Sequence, residues 1–282
     1  MTFRLAQISD THLSGRVPGF VRNFEMLAEA LRGAVPDLVV NTGDLSLDGA
    51  DSEEDLVLAR RAHAALGLDW AAIPGNHDVG DDPEPGRRQS ADAARLARWH
   101  RILGPDTFLR DLPGWRLIGL DSQILATGLP EAEAQMEMLA RALATAGGRS
   151  IGVFLHKPLC QERLDEMDTG YWCVGPSSRK RLVDLLLPQR PAFVASGHVH
   201  QWRDRGVSEG LRQIWGPSTA FVLGDDYQET VGRKALGYVE YLLHADGSFR
   251  SRLVPLPDLT MHDIGDMPDL YGPQKRLVGE SA

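Results

Sequence analysis

Five short apolar runs in the first 200 residues each end in a cluster of aspartate, asparagine, histidine or glycine. The clusters are Asp10-Thr11-His12, Gly43-Asp44, Gly75-Asn76-His77-Asp78, His156 and Gly197-His198-Val199-His200. They hold five of the nine histidines. Apolar runs closed by such breaks read as buried strands. The segment 21–34, with Phe24, Leu27, Ala28 and Leu31 on one side, reads as an amphipathic helix. A chain that alternates strand and helix from its start is confined to a layered α/β architecture. Polar groups at the ends of several strands then converge on one place, however far apart they lie in sequence. The pattern reads as a candidate two-metal hydrolytic site.

The alternation continues along the chain. Strands are predicted at 3–8, 38–40, 70–73, 107–110, 115–120, 150–155 and 192–195, and helices at 52–66, 90–103, 131–145 and 178–187. Ser52 is placed to cap its helix, with Glu53, Glu54 and Asp55 in the favourable first turn. Beyond 201 the pattern changes to short strands at 201–207, 211–215, 219–223, 237–243 and 248–254. Ala245-Asp246-Gly247 forms a hairpin turn between the last two, so the sheet system ends antiparallel. Residues 1–255 read as the catalytic domain and 256–282 as an extended tail. The weakly patterned segment 157–177 reads as a lid over the site. Its Tyr171 and Trp172 either stack on a nucleobase or pack the lid onto the domain.

Composition narrows the partners. The formal net charge is −9, and no long Lys/Arg run appears, so a nucleic-acid polymer is not expected as substrate. No apolar run approaches the ~20 residues that a membrane-spanning helix needs, and no signal peptide opens the chain. Cys160 and Cys173 fit no zinc spacing and read as free thiols in a reducing compartment. The expected location is the cytoplasm. The tail leaves a homodimer as an open alternative. His63, His100, His244 and His262 lie outside the clusters and read as structural or surface residues.

The five clusters, in this order, resemble the calcineurin-like metallophosphoesterase pattern D-x-H, G-D, G-N-H-D/E, H and G-H-x-H. The resemblance implies an α/β/β/α sandwich of two mixed sheets flanked by helices. It also implies two divalent transition-metal ions, for which a mixed oxygen and imidazole set suits manganese, iron or zinc. By the resemblance Asp10, His12, Asp44 and His200 hold one ion. Asp44, Asn76, His156 and His198 hold the other, with Asp44 bridging. Asp10 and His12 are two residues apart and share a face on a straight strand, as do His198 and His200. Glycines 43, 75 and 197 allow sharp turns and leave room beside the ions. Two divalent ions, two aspartates and a shared hydroxide leave the site at about +1, which attracts a phosphate oxygen; the hydroxide attacks phosphorus. His77 is the proton donor beside the substrate, with Asp78 bonded to it and fixing its tautomer. Asn76, His77 and His200 line the substrate.

The flanks of the clusters discriminate among branches of the family. Protein phosphatases carry Arg where this chain has Pro74, and purple acid phosphatases carry Tyr where it has Leu47. The remaining resemblance is to the class III cyclic-nucleotide phosphodiesterase and glycerophosphodiesterase branch. The expected substrate is a small phosphodiester, first of all a 3′,5′-cyclic nucleotide. The alternative is a phosphomonoesterase, which needs a further cation near the ions. Lys157, Arg16, Arg87, Arg88 and Arg163 are the candidates, although each reads first as a solvated surface charge. A non-catalytic binding scaffold is the minor alternative.

Overall fold

The computed structural model describes residues 2–83, 89–167, 170–272 and 276–277. Strands β1 (Thr2–Ile8), β2 (Leu38–Asn41) and β3 (Trp70–Ala72) alternate with helices α1 (Pro18–Ala34) and α2 (Glu53–Ala64). A helical turn α3 (Asn76–Val79) and helix α4 (Ala93–Ile102) precede β4 (Phe108–Leu112) and β5 (Trp115–Gly119). Then come α5 (Pro130–Ala144), β6 (Ser150–Phe154), α6 (Pro176–Leu186) and β7 (Phe193–Ser196). The later strands are β8 (Arg203–Ser208), β9 (Leu211–Trp215), β10 (Phe221–Val222), β11 (Gly237–His244), β12 (Phe249–Pro255) and β13 (His262–Asp263). Helix starts follow local chemistry. The Ser52 side chain accepts from the Asp55 N–H at the start of α2, and α1, α5 and α6 begin on prolines, whose missing N–H costs nothing there.

Two mixed sheets form the centre. One has the order β12-β11-β1-β2-β3 and the other β4-β5-β6-β7-β9-β8. In the first, β1, β2 and β3 are parallel while β11 and β12 run antiparallel. In the second, β5, β6, β7 and β9 are parallel and the edges β4 and β8 are antiparallel. The period-2 alternation of side chains separates the layers. Leu5, Leu38 and Val40 of one sheet meet Leu117, Phe154, Phe193 and Ile214 of the other. The intervening Ala6, Ile8 and Val39 point outward and are covered by Phe24, Leu27 and Leu31 of α1 and by Leu56 and Ala59 of α2. On the far side Ile118, Val153 and Val194 are covered by α5 and α6 through Leu139, Leu143, Leu182 and Leu186. This is the expected helix–sheet–sheet–helix sandwich. The carboxyl ends of the parallel strands β1, β2, β3, β6 and β7 open on one rim, where open α/β sheets place their sites.

The described part of the tail packs onto this body. β13 pairs with β10, Leu259 is buried with Val222 and Leu236, and Ile264 is buried with Phe20 and Phe221.

Candidate metal centre

Beyond the strand ends the backbone takes an uncommon course. β1 stops at Ile8, β2 at Asn41 and β7 at Ser196. Asp10, His12, Asp44, His198 and His200 then have φ of 53°, 43°, 54°, 67° and 57°. Five of the eight non-glycine residues with positive φ, among those described, are therefore candidate ligands. Asp and His tolerate the left-handed region better than β-branched residues, yet each such residue costs of order ~1 kcal/mol or more. Hence the pairing expected from strand alternation is not how these side chains converge. Asp10 and His12 do meet, but through left-handed turns, and His198 and His200 turn to different groups.

Two clusters result. Asp10, His12 and His200 offer ligand atoms all within 4.8 Å of one another, as do Asp44, His156 and His198. His12, Asp44 and His77 form an overlapping third set. The His12 and His200 Nε2 atoms are 3.3 Å apart, and His200 Nε2 is 3.3 Å from Asp10 Oδ1. Asp44 Oδ2 lies 3.8 Å from His12 Nε2 and 3.3 Å from His156 Nε2, so Asp44 joins the two clusters. Asn76 Oδ1 is 3.1 Å from His156 Nε2. All of these side chains except half-buried His77 are buried. Glycines make room for the aspartates: a Cβ at Gly75 would collide with Asp44 Oδ1, and one at Gly197 with Ser9 Oγ and Asp10 Oδ2.

Backbone carbonyls set the tautomers. His156 Nδ1 faces Thr42 O at 2.8 Å, and His200 Nδ1 faces Phe221 O at 2.9 Å. Each Nδ1–H donates outward and leaves Nε2 directed at the cluster. His198 is reversed. Its Nε2 faces Tyr171 O at 3.1 Å, which leaves Nδ1 for the cluster. Burial and the neighbouring His77 hold His12 well below the ordinary imidazole range; burial and Lys157 do the same for His198. Burial pulls His156 down as well, but the Asp44 carboxylate outweighs it and lifts His156 to about 9. Burial pushes Asp44 up, while His156 and His77 together hold it well below the carboxylate range. Buried imidazoles converging beside two carboxylates are the donor types of a transition-metal site. A cation held beside His156 would require that ring to give up its proton.

His77 and Asp78 depart from expectation. His77 Nδ1 faces Leu47 O at 2.9 Å, so a main-chain carbonyl orients the ring. The Asp78 carboxylate accepts instead from the N–H groups of Leu45, Ser46 and Gly75 and from Ser46 Oγ, at 2.6–3.0 Å. It latches the Asp44 loop to the turn that carries Asn76 and His77. The His77 N–H completes the latch by donating to Asp44 Oδ1 at 2.8 Å.

The remaining candidates separate clearly. Lys157 is not a solvated surface charge: it is buried, 2.6 Å from Asp81 and 5.0 Å from the Tyr171 ring. Arg16 pairs with Asp48 and Asp55, and Arg163 with Asp165. Arg87 and Arg88 lie outside the described residues. Tyr171 is packed, its ring 4.6 Å from His198 and 5.2 Å from Trp172. Its hydroxyl accepts from Asn76 Nδ2 at 2.9 Å, turning Oδ1 toward His156. That orienting role has no sequence signature beyond a tyrosine in the lid, and the carbonyls of Thr42, Leu47 and Phe221 have none. Asp121 was also missed. It follows β5 at the same rim, and burial and Asp106 raise its pKa well above the ordinary range. Cys160 and Cys173 are free and buried. His63, bonded to Asn41 and Ala59 O, is structural as expected.

A layered α/β body with buried His/Asp clusters at its strand-end rim carries a candidate metal centre. The model of the calcineurin-like phosphoesterase family matches residues 3–202. The chain belongs to that family. It is 28% identical over 210 residues to a probable glycerophosphodiester phosphodiesterase of Arcobacter nitrofigilis, covering 70% of this chain and 71% of that one. It is 30% identical over 237 residues to a probable cyclic nucleotide phosphodiesterase of Synechococcus sp. strain WH7803, covering 77% and 82%. It is also 29% identical over 203 residues to the human serine/threonine-protein phosphatase CPPED1, covering 68% and 62%. The relatives' names thus divide between diester and monoester chemistry, and Pro74 alone does not separate the chain from protein phosphatases. Among solved structures, a yellow lupin purple acid phosphatase superposes with a TM-score of 0.66 at 13% identity, over 93% of this chain and 53% of that one. A dimetal phosphatase of Danio rerio gives 0.59 at 13% identity, over 89% and 96%. Both likenesses speak for the fold. Among the described residues no helix is long and apolar enough to cross a membrane.

Proposed function

We propose that the protein hydrolyses small phosphodiesters with two divalent metal ions, a 3′,5′-cyclic nucleotide being the first substrate to test. Asp10, His12, Asp44 and His200 would hold one ion and Asp44, Asn76, His156 and His198 the other. The bound ions supply charge neutralisation at phosphorus and a water of lowered pKa. The chain's own residues do the rest. Asp44 joins the two clusters, and the Asp78 latch keeps its loop in register with Asn76. Tyr171 orients Asn76 and His198. His77 donates Nδ1–H to Leu47 O, so its Nε2 is the nitrogen that would face a leaving oxygen; with both ring nitrogens protonated, Nε2–H passes its proton to that oxygen and the ring is left neutral.

The observation that carries the diester reading is the state of the cations. A monoester dianion needs positive charge beyond the ions. Lys157 is closed by Asp81 at 2.6 Å, and Arg16 and Arg163 are each tied to carboxylates. A diester carries one charge fewer and does not need them. The named phosphodiesterase relatives support the same reading, while the human relative supports phosphomonoester hydrolysis as the second. The test is a Mn²⁺-supplemented comparison of bis(p-nitrophenyl) phosphate with p-nitrophenyl phosphate, followed by cyclic nucleotides and glycerophosphodiesters. A strong preference for the monoester defeats the proposal.

A further inference from the structure

Away from the metal centre, a cavity of about 460 Å³ opens between the two sheets. Its walls are the edge strand of each sheet, β3 on one side and β4 on the other. Trp70, Trp99 and Phe108 contribute aromatic residues to its walls, and Arg60 and Arg110 are among the residues that line it. Among the described residues no carboxylate lines it, in a chain whose net charge is −9. The volume lies in the range of small-molecule sites.

Two features mark it as more than a gap between edges. Arg60 stacks over Trp70, 5.3 Å from the ring centroid, which leaves its N–H groups unspent. Among the described residues neither the Arg60 nor the Arg110 side chain has a hydrogen bond or ion pair, whereas Arg95, Arg101, Arg116, Arg203 and Arg212 are all paired with carboxylates. Two guanidiniums without a carboxylate partner among the described residues, beside aromatic walls, call for one kind of occupant. It is flat and apolar in its body, and it carries an anionic acceptor group that the arginine forks can grip. An added peptide strand fits less well, because β3 is only three residues long and offers little edge to pair with.

We propose that this cavity is a second ligand site, separate from the metal centre, for a compact aromatic anion such as an aryl carboxylate, sulfonate or phosphate. A ligand held there contacts both sheet edges at once and ties them together, so it raises the unfolding temperature.

The probe is 8-anilinonaphthalene-1-sulfonate, titrated into the full-length, Mn²⁺-loaded protein by calorimetry and fluorescence. Inorganic phosphate in excess occupies the metal centre, and neutral N-phenyl-1-naphthylamine controls for apolar adsorption. The expected result is one saturable site, indifferent to phosphate, with a rise in unfolding temperature. In Arg60→Gln/Arg110→Gln, which loses no hydrogen bond within the fold, sulfonate affinity falls at least about tenfold, while the neutral probe is unaffected. The proposal is overturned by absence of saturable binding, by displacement with phosphate, by undiminished sulfonate binding in the double variant, or by equal loss of both probes.

Discussion

Removal of the Asp78 carboxylate tests whether this residue is a latch or a partner of His77. Its oxygens are buried and accept from Leu45 N at 3.0 Å, Ser46 N at 2.9 Å, Gly75 N at 2.9 Å and Ser46 Oγ at 2.6 Å. Asp78→Ala leaves three main-chain N–H groups buried without an acceptor. Each costs ~1–3 kcal/mol, so the floor is about 3 kcal/mol of folding stability. Asp78→Asn keeps one carbonyl oxygen but turns an NH₂ group toward donors, and it falls between Ala and the parent. The assay is urea unfolding of the metal-stripped protein, followed by Mn²⁺ calorimetry on the folded fraction. The latch predicts that stability and metal affinity fall together, because the Asp44 loop and the Asn76 turn come out of register. A residue that only tunes His77 leaves both untouched and slows turnover alone. An Asp78→Ala protein within about 0.5 kcal/mol of the parent, with parental Mn²⁺ binding, refutes the latch.

Three further outcomes follow from the same contacts. Tyr171→Phe removes the hydroxyl that orients Asn76; a hydrogen bond of ~1 kcal/mol predicts about fivefold weaker binding of one Mn²⁺ with the other unchanged, read by calorimetric titration, and unchanged binding of both ions counts against it. Gly197→Ala places a Cβ against Ser9 and Asp10; overpacking of ~1–3 kcal/mol predicts about tenfold weaker Mn²⁺ binding in a protein with parental circular dichroism. His63 is held neutral, burial lowering it from 6.5 to about 4. Because the folded pKa lies below the unfolded one, its contribution is whole above pH 6.5 and drains away as pH falls toward 4, about 3 kcal/mol in all; the stability gap between parent and His63→Gln should close over that window, and a gap independent of pH excludes His63 as the cause.

Much of the fold was legible because its signals are local. Leu5, Leu38 and Val40 alternate with Ala6, Ile8 and Val39, and that alternation is what assigns each side chain to the inter-sheet core or to the helix layer. The cluster residues were legible for a different reason: His and Asp directly after an apolar run have no packing role to explain them. The less legible parts are those where the main chain does the work. Nothing in the letters announces that Leu47 O orients His77, or that Phe221 O and Thr42 O set the tautomers of His200 and His156. Any residue type offers the same carbonyl. Lys157 was misread for a related cause. Its neighbour Asp81 is distant in sequence, and only the fold closes that pair.

The left-handed residues explain how such a site persists. Five of them at one rim cost of order ~5 kcal/mol or more together, comparable to the whole net stability of many domains. The loops that carry them are hydrogen-bonded to one another, which offsets part of this cost. Asp10 N donates to Gly43 O at 3.0 Å, His12 N to Asp44 O at 3.0 Å and Leu13 N to Leu45 O at 2.9 Å. The His198 N–H is anchored on the Asp10 carboxylate at 3.0 Å. Asp10, His12, Asp44 and His198 are thus each tied to a neighbouring ligand loop, and His200 is held through its ring Nδ1 on Phe221 O. The candidate ligands are arranged by the sheet and its loop hydrogen bonds, so that ions bound there would not have to supply the whole cost of ordering the site.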